Sequence, residues 1–177
     1  PPDARSWPLG PVLFYLGRYD EAIARLETDI RCFEKRFEES ATDERIWLAA
    51  AKLRGARVSR GHADAVRVAE GLPPLPIPDL NPVRRIIYKM FRGKASPEEV
   101  RDASKLPTEG IDYLGVEFFS KVFLGLWYDA HGNELEAKNC VLEACRSRYP
   151  QPDDLWYHTP RVHARARGWE LPEQQQQ

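Results

Sequence analysis

The sequence predicts an all-α fold, and three observations lead to that prediction. Apolar residues recur at alternating steps of three and four, which is the period of one helix face, and the clearest series is Ile23, Leu26, Ile30, Phe33 and Phe37. Two small residues, Gly125 and Ala137, stand where later amphipathic segments must approach each other closely. No segment shows the alternation typical of a strand. We therefore expect about eight to nine helices, packed as hairpins.

Length and composition place the chain among soluble globular proteins with a single domain. It has 177 residues, of which 42% are hydrophobic and 30% are charged. The net charge of -1 argues against general nucleic-acid binding, because such binding depends on an excess of Lys and Arg. The longest apolar runs, at 11–16, 46–51 and 122–128, are far shorter than the roughly 20 residues that a membrane-spanning helix needs.

The cysteine pattern favours a reducing, intracellular compartment. Cys32, Cys140 and Cys145 cannot all pair, and the last two are placed on different sides of a helix by their spacing. We expect all three to be reduced thiols in the core. Because the chain begins without Met, we also expect a segment before Pro1 to have been processed or left out.

The first predicted block covers residues 7–71 and holds four helices. Their expected ranges are a first helix from Trp7-Pro8 through the run 11–19, a second over the series at 23–37, a third from Asp43 to about Ser59, and a fourth at 63–70. Thr42 offers a capping hydroxyl to the third helix, and acidic residues follow it in the first turn. Gly61 is expected to turn the chain into the fourth helix.

Residues 72–80 form a predicted proline-rich linker. The stretch Gly71-Leu-Pro-Pro-Leu-Pro-Ile-Pro-Asp79 has four prolines in nine residues, so it cannot be helical. We expect it to run extended across the surface and to divide the chain into two halves. These halves echo each other at separations of roughly 70 to 76 residues, which indicates a diverged duplication of a four-helix block.

The second block covers residues 81–150. Its helix-start signals are Asn81-Pro82, the capping box Ser96-Pro97-Glu98-Glu99, and Asn133. Two amphipathic helices are expected between 118 and 150, joined by a turn at Gly132.

A closing element is predicted at 152–169. Thr159 and Pro160 are expected to begin its helix, and Gly168 is expected to end it. The tail at 170–177 ends in four glutamines and is too polar to pack, so we expect it to be disordered.

The small and aromatic residues of the second block resemble the tetratricopeptide repeat. The residues that carry the likeness are Leu124, Gly125, Tyr128, Gly132, Ala137, Val141 and Ala144, with Lys121 in place of the family's Trp and Val141 in place of its Phe. Residues 17–27 are similar to the second half of such a unit. With its Trp-Pro start and its closing helix rich in Trp, His and Arg, the chain is also similar to the small NlpI-like repeat proteins of bacteria and plastids.

This resemblance implies a solenoid of helical hairpins, made of two diverged four-helix blocks and a C-terminal capping helix. Repeats of this kind hold other proteins and carry no chemistry of their own. We therefore expect a non-enzymatic scaffold without a cofactor, serving as a peripheral or assembly subunit of a larger complex. The plastid side of the resemblance favours a photosynthetic complex, in the chloroplast stroma or at the stromal surface of a membrane-protein complex.

No catalytic or metal-binding pattern competes with this interpretation. His62 and His131 each adjoin a turn glycine, where a polar residue is expected anyway. His158 and His163 lack the i, i+4 spacing that puts two ligands on one helix face. Gly-rich phosphate loops and nucleophile motifs are missing from the sequence. An enzyme or a metal-binding protein is the least favoured alternative.

Two basic clusters are candidate protein-binding surfaces. Arg85, Lys89 and Arg92 form a stripe on one face of a predicted helix, with Arg84 alongside. A solvated face explains the stripe, and an anionic partner surface or lipid headgroups would also fit it. The second cluster joins Arg and Trp, the commonest interface anchors, and consists of Trp156, Arg161, Arg165, Arg167 and Trp169.

An apolar groove is the third candidate surface. Tetratricopeptide proteins that capture acidic C-terminal tails use Lys and Asn on the groove face, whereas the corresponding places here hold apolar residues. Such a groove would accept an apolar segment or helix. Its expected lining is Trp7, Phe14, Tyr15, Phe119, Val122 and Leu126. A membrane-surface adaptor that uses the basic helix faces is the alternative to this scaffold.

Overall fold

A computed structural model describes residues 8–105, 113–147, 149 and 154–172. Within these residues the chain forms nine α-helices and no strand, which confirms the predicted all-α fold of eight to nine helices. In chain order they are α1 (Leu9–Tyr15), α2 (Tyr19–Phe37), α3 (Thr42–Arg60), α4 (His62–Gly71), α5 (Pro82–Phe91), α6 (Pro97–Ala103), α7 (Tyr113–His131), α8 (Glu134–Arg146) and α9 (Leu155–Ala166).

Helices α1 and α2 form a tight hairpin. Gly17 makes the turn with a φ of 73°, a conformation that glycine adopts without strain. The helices approach closely because Gly10 has no side chain, and a Cβ there would lie 2.5 Å from the Cγ of Leu26. Pro11 is tolerated because it lies in the first turn of α1, where a backbone N–H would have no partner within the helix.

Helix α3 lies at the centre of the fold. Every residue from Ile46 to Ala51 is buried, so the helix has no solvent-facing side over this stretch. It contacts α1, α2, α4, α5 and α7, and its run of three alanines lets these neighbours approach. A helix of the first half thus packs directly against α5 and α7 of the second half. One hydrophobic core extends from Leu13 to Trp169.

Helices α7 and α8 form the hairpin in which small residues were expected to meet. A Cβ on Gly125 would lie 2.6 Å from the Cγ2 of Val141 and 3.4 Å from the carbonyl oxygen of Ala137. The predicted close approach is therefore confirmed. Gly132 forms the turn with a φ of 81°.

The predicted caps of α5, α6 and α8 are confirmed. The side chain of Asn81 accepts two backbone N–H groups of the first turn of α5. At the start of α8, the side chain of Asn133 accepts the backbone N–H of Glu136 at 3.3 Å. Ser96 and Glu99 form the complete capping box, in which each side chain accepts the backbone N–H of the other residue. Local sequence chemistry therefore fixes these three helix starts.

The predicted cap of α3 is wrong by one residue. Thr42 is already helical, and its hydroxyl donates to the Oγ of Ser40 at 2.9 Å instead of accepting a backbone N–H. The N-cap position belongs to Ala41, which has no capping oxygen. Burial explains the difference, because both Ala41 and Thr42 are inside the core, where packing decides the start of the helix.

The predicted start of α9 is also wrong. The helix begins at Leu155, where Oδ1 of Asp154 accepts the N–H of Trp156 at 3.1 Å. Pro160 therefore lies inside the helix, which loses one internal hydrogen bond there. The ring of Pro160 is buried, and this packing together with the aspartate cap keeps the helix continuous.

The end of α9 confirms one expectation and corrects another. Gly168 follows the helix with a φ of 71°, and the N–H of Trp169 donates back to the carbonyl of Ala164 at 2.9 Å. The tail was expected to be disordered from residue 170, but Leu171 packs against the core. Residues 173–177 lie outside the described part of the chain, as does Trp7 at the other end.

The three cysteines are free thiols with unequal environments. Cys140 and Cys145 are buried on α8, as expected, and burial raises the pKa of both thiols. Cys32 is exposed on α2, so the expectation of a core position is wrong for this residue. It follows Arg31 on the outer side of a helix whose apolar series faces α1 and α3.

Candidate functional site

A buried carboxylate on α7, Asp129, is surrounded by basic side chains from two other helices. Arg167, just after α9, reaches it with two nitrogens: Nη2 lies 2.8 Å from Oδ2, and Nε lies 3.0 Å from Oδ1. Arg54 of α3 pairs with Oδ1 and also donates to the backbone carbonyl of Asp129. The Nε2 of His163 lies 3.3 Å from Oδ2, within ion-pair range but without the alignment of a hydrogen bond. We call these four residues the Asp129 cluster.

Aromatic rings enclose the cluster. The ring of His163 lies between those of Tyr15 and Trp169, with centroid separations of 5.2 Å and 5.5 Å. The guanidinium of Arg167 stands over the ring of Phe14, 5.7 Å from its centroid. Helix α1 is thereby joined to the same cluster as α3, α7 and α9.

Burial and charge together set the protonation states of the cluster. Burial alone would raise the pKa of Asp129, but His163, Arg167 and Arg54 outweigh it and hold this pKa well below its usual range. Burial lowers the pKa of His163 by more than Asp129 raises it. Burial, helped by the charge of Asp129, raises the pKa of Tyr15 well above its usual value. At neutral pH the cluster is therefore one carboxylate between two guanidinium groups, beside a neutral imidazole.

This arrangement holds helices together and does not present reactive groups. Asp129 is 4% exposed and His163 is 1% exposed, so a substrate could reach them only after the helices separate. A carboxylate that is paired with two arginines is also a poor base. Sequence reasoning missed the cluster, although one charged residue inside the apolar stretch at 122–130 was a signal for Asp129. Its partners come from distant segments and have no local signature.

The histidines do not form a metal centre. Among the residues that the structure describes, no three His, Cys, Asp or Glu side chains are placed to share a metal ion. His62 and His158 are exposed. His131 is not the simple turn residue that its sequence context suggested, because Nδ1 donates to the carbonyl of Trp127 at 2.8 Å and the two rings lie 4.1 Å apart.

No known protein family, curated protein or solved structure matches this chain. In the described part of the chain, no helix combines the length and the apolar character that crossing a bilayer requires.

The apolar groove expected from the sequence is not formed by the described residues. Phe14, Val122 and Leu126 are buried in the core, and Phe14 packs edge-on against Trp47 with ring centroids 5.6 Å apart. Phe119 packs in the same way against Trp156, at 5.2 Å. The ring of Tyr15 packs against the ring of His163. Trp7 lies outside the described residues. The helical period identified the apolar faces correctly, but neighbouring helices cover them.

The basic stripe on α5 holds the proline-rich linker. Nη1 of Arg85 donates to the carbonyl of Asp79 at 2.7 Å, and Nε of Arg92 donates to the carbonyl of Leu72 at 2.9 Å. Arg84 pairs with Asp43 of α3 at 3.2 Å. Lys89 is exposed between the two clamping arginines. The stripe is therefore largely structural, and we call residues 72–80 the proline strap.

Most residues of the C-terminal Arg and Trp cluster also make contacts with other residues of the chain. Arg161 donates to the carbonyl of Cys145 at 3.0 Å and stands 3.9 Å over the ring of Tyr157. Trp156 packs against Phe119, and Arg167 belongs to the Asp129 cluster. Trp169 is buried, with Nε1 3.4 Å from a carboxylate oxygen of Glu134. Arg165 is the exposed member.

An exposed apolar ridge runs along α1. Its residues are Leu9, Val12 and Leu16, which are 44%, 46% and 64% exposed. Their spacing of three and four places them on one face, away from the buried Gly10, Pro11 and Phe14. Helix α1 is therefore apolar on both faces, although only one of them packs against α2 and α3. We call these three residues the α1 ridge.

A shallow cavity of about 300 Å³ lies between the start of α7 and the end of α8. Its described lining is Leu114, Glu117, Lys121, Glu143, Arg146 and Ser147. Lys121 is paired with Glu117 at 2.7 Å, and the lining carries charges of both signs. We assign no ligand to it, because nothing in this lining selects one.

Proposed function

We propose that the protein is a non-enzymatic helical scaffold that binds another protein through the α1 ridge. A helix that is apolar all round is normally buried on all sides. The ridge leaves three large apolar side chains in water on one side, two in α1 and one at its C-cap, and this single observation carries the proposal. Contiguous exposed apolar surface of this kind is typical of a protein interface.

The arrangement of the charged groups supports a scaffold over the alternatives. In the Asp129 cluster, the buried carboxylate and histidine contact side chains of other helices and thereby hold the helices together. Arg85 and Arg92, which a membrane-surface adaptor would use, already donate to the carbonyls of the proline strap. The resemblance to the tetratricopeptide repeat, with its plastid members, favours a subunit of a photosynthetic assembly in the chloroplast as the setting. We propose plastid extract as the first source in which to look for the partner.

The test is affinity capture with the full chain as bait, followed by quantitative mass spectrometry. The double variant Val12→Ser/Leu16→Ser replaces the two most exposed residues of the ridge and leaves the buried face of α1 unchanged. Val58→Ser is the matched control, because Val58 is 62% exposed and lies on another helix. We expect a protein that is captured by the wild type and by the control, and is reduced about tenfold with the double variant. Circular dichroism shows whether all three baits are folded.

Two outcomes would contradict the proposal. An identical set of captured proteins for all three baits would remove the ridge from the interface. Binding to anionic liposomes that is lost on reversing the charges of Arg85, Lys89 and Arg92, with no dependence on the ridge, would favour the membrane-surface adaptor.

A further inference from the structure

The proline strap is held at both ends and near its first prolines by side chains of α5. Arg92 donates to the carbonyl of Leu72 and Tyr88 donates to the carbonyl of Pro73, both at 2.9 Å. At the other end, Arg85 donates to the carbonyl of Asp79 at 2.7 Å. The strap is therefore a positioned surface element and not a loose connection between α4 and α5.

The first part of the strap has the geometry of a polyproline II helix. Leu72 has φ −66° and ψ 130°, close to the ideal values for this conformation. The prolines fix their own φ near the same value, and each residue before a proline is restricted to extended ψ. No bend interrupts the chain before Pro76. The dihedral angles of Leu72 and the restrictions at the prolines thus favour a path of three residues per turn over 72–76, up to the bend at Pro76 and Ile77.

The period of three separates an inner edge from an outer surface. Leu72 is buried and Leu75 is half-buried against the core, and these two residues are three apart. Pro73, Pro74 and Pro76 are exposed. Pro73 and Pro76 share one outer edge, and Pro74 begins the next. The leucines therefore anchor the helix while the prolines present two adjacent edges to solvent.

Such a surface is what proline-recognising domains bind. Their grooves are lined by aromatic rings that receive prolines from a preformed polyproline II helix, whose ordering entropy is already lost before binding. Positive charge also lies beside the strap, because Lys89 is exposed on α5 between the two arginines that hold the strap. A groove with acidic residues at its rim would complement this cation.

We propose that Pro73-Pro74-Leu75-Pro76 is a docking site for a partner domain with an aromatic-lined, acidic-rimmed proline-binding groove. The proposal rests on the scaffold function above and adds a second contact surface to it, separate from the α1 ridge. The partner groove takes the outer edges of the strap, and Leu72 and Leu75 stay packed on the core.

The test is a titration of the full chain into an isotope-labelled WW domain and, separately, an SH3 domain with an acidic rim. Chemical-shift changes report binding at the aromatic groove directly. We expect saturable binding to at least one of the two domains. Pro73→Ala/Pro76→Ala should weaken it at least about tenfold, since both prolines of one edge are lost. Pro78→Ala is the matched control, because Pro78 is exposed in the same strap but outside the helix of 72–76.

The outcomes separate this proposal from the scaffold function. No saturation with either domain at about 1 mM, or equal affinity for the wild type and both variants, would overturn the docking site. The ridge variant Val12→Ser/Leu16→Ser should bind these domains like the wild type. If it does while its partner capture is unchanged, the ridge proposal fails and the strap proposal stands. Thermal melts of the proline variants show whether any loss of binding comes from unfolding.

Discussion

Asp129 and Arg167 form a forked ion pair in which both carboxylate oxygens accept hydrogen bonds from one guanidinium. The pair joins the C-cap of α9 to α7, and Arg54 extends it to α3. Three helices that are far apart in sequence are thus held at one point inside the core. Removing the carboxylate would leave two guanidinium groups nearly buried and unpaired.

We therefore expect Asp129→Asn to lower the free energy of unfolding by about 3–5 kcal/mol, the usual cost of breaking a buried pair from one side. Urea denaturation measures this loss. The matched control is Asp102→Asn, since Asp102 is exposed and pairs with Lys105 on the surface. That change should cost less than about 0.5 kcal/mol. Equal effects of the two variants would show that the Asp129 cluster is not a structural lock.

Acidification should act through His163. Burial keeps its pKa below the value of the unfolded chain, so the unfolded state binds the proton first. The stability that depends on the neutral imidazole is present above about pH 6.5 and is lost as the pH falls below it, by at most about 1.4 kcal/mol per pH unit. His163→Gln should flatten the profile between pH 6.5 and 5, measured by urea denaturation at each pH. His158→Gln, at an exposed position, should keep the wild-type slope.

The first turn of α3 should produce a pH effect of opposite sign. Burial raises the pKa of Asp43 to about 6, with Asp79 adding to the shift and Arg84 opposing it. Burial also raises the pKa of Glu44 to about 7, with Asp29 adding to the shift and Arg84 opposing it. The folded state therefore holds protons more tightly than the unfolded state. This stability is complete below about pH 4 and is lost as the pH rises through 6 to 7.

Neutral substitutions in that turn test the effect. Asp43→Asn should raise the free energy of unfolding at pH 8 by about 1–3 kcal/mol relative to wild type, and the gain should vanish near pH 4. Asp20→Asn is the matched control, because Asp20 occupies the first turn of α2 but is exposed. A gain at pH 8 for Asp20→Asn as large as that for Asp43→Asn would point to general charge effects instead of burial.

The contact between α7 and α8 should not tolerate larger side chains. Ala137→Leu should cost about 3 kcal/mol or more, because Ala137 is fully buried at the point where α8 packs closely against Gly125 of α7. Gly132→Val should also be strongly destabilising, since Gly132 has a φ of 81° and a Cβ there would lie 2.6 Å from Arg57. Thermal melts measure both. Leu135 is 69% exposed on α8, so Leu135→Ala should hardly change the melting temperature. An unchanged melting temperature for Ala137→Leu would mean that the hairpin is misassigned.

The two turn histidines should differ from each other. His131→Ala removes the hydrogen bond to Trp127 and the ring contact beside it, so we expect a loss of about 1–2 kcal/mol. His62→Ala should change stability by less than about 0.5 kcal/mol, because His62 is exposed. Urea denaturation of both variants under the same conditions measures the two losses in the free energy of unfolding. Equal losses would contradict the role given to the His131 hydrogen bond.

Local chemistry made much of the fold predictable. Asn81, Ser96 and Asn133 cap helices by contacts within three residues, so sequence alone was enough to place them. The start of α9 was missed because a proline at an interior position is tolerated when its ring is buried, and burial is a property of the tertiary fold. Arg85 and Arg92 were correctly placed on one helix face. Their use as clamps depended on where the strap would run.

The candidate surfaces were harder to predict for the same reason. A helical period shows which residues share a face, but it does not show whether another helix covers that face. Phe14 and Leu126 have neighbours in the core, whereas Leu9 and Leu16 are exposed, and all four are apolar residues at helical spacing. The Asp129 cluster unites residues from three segments, and only Asp129 stands out within its own segment.

The central position of α3 also constrains how the chain can be made. Arg54 and Asp129 are 75 residues apart, so at a synthesis rate of about 5–20 residues per second the ribosome reaches the second roughly 4–15 s after the first. Until then the buried stretch 46–51 lacks the complete covering that α7 adds to α5. The nascent first half must therefore wait with apolar surface exposed until its own second half has been synthesised.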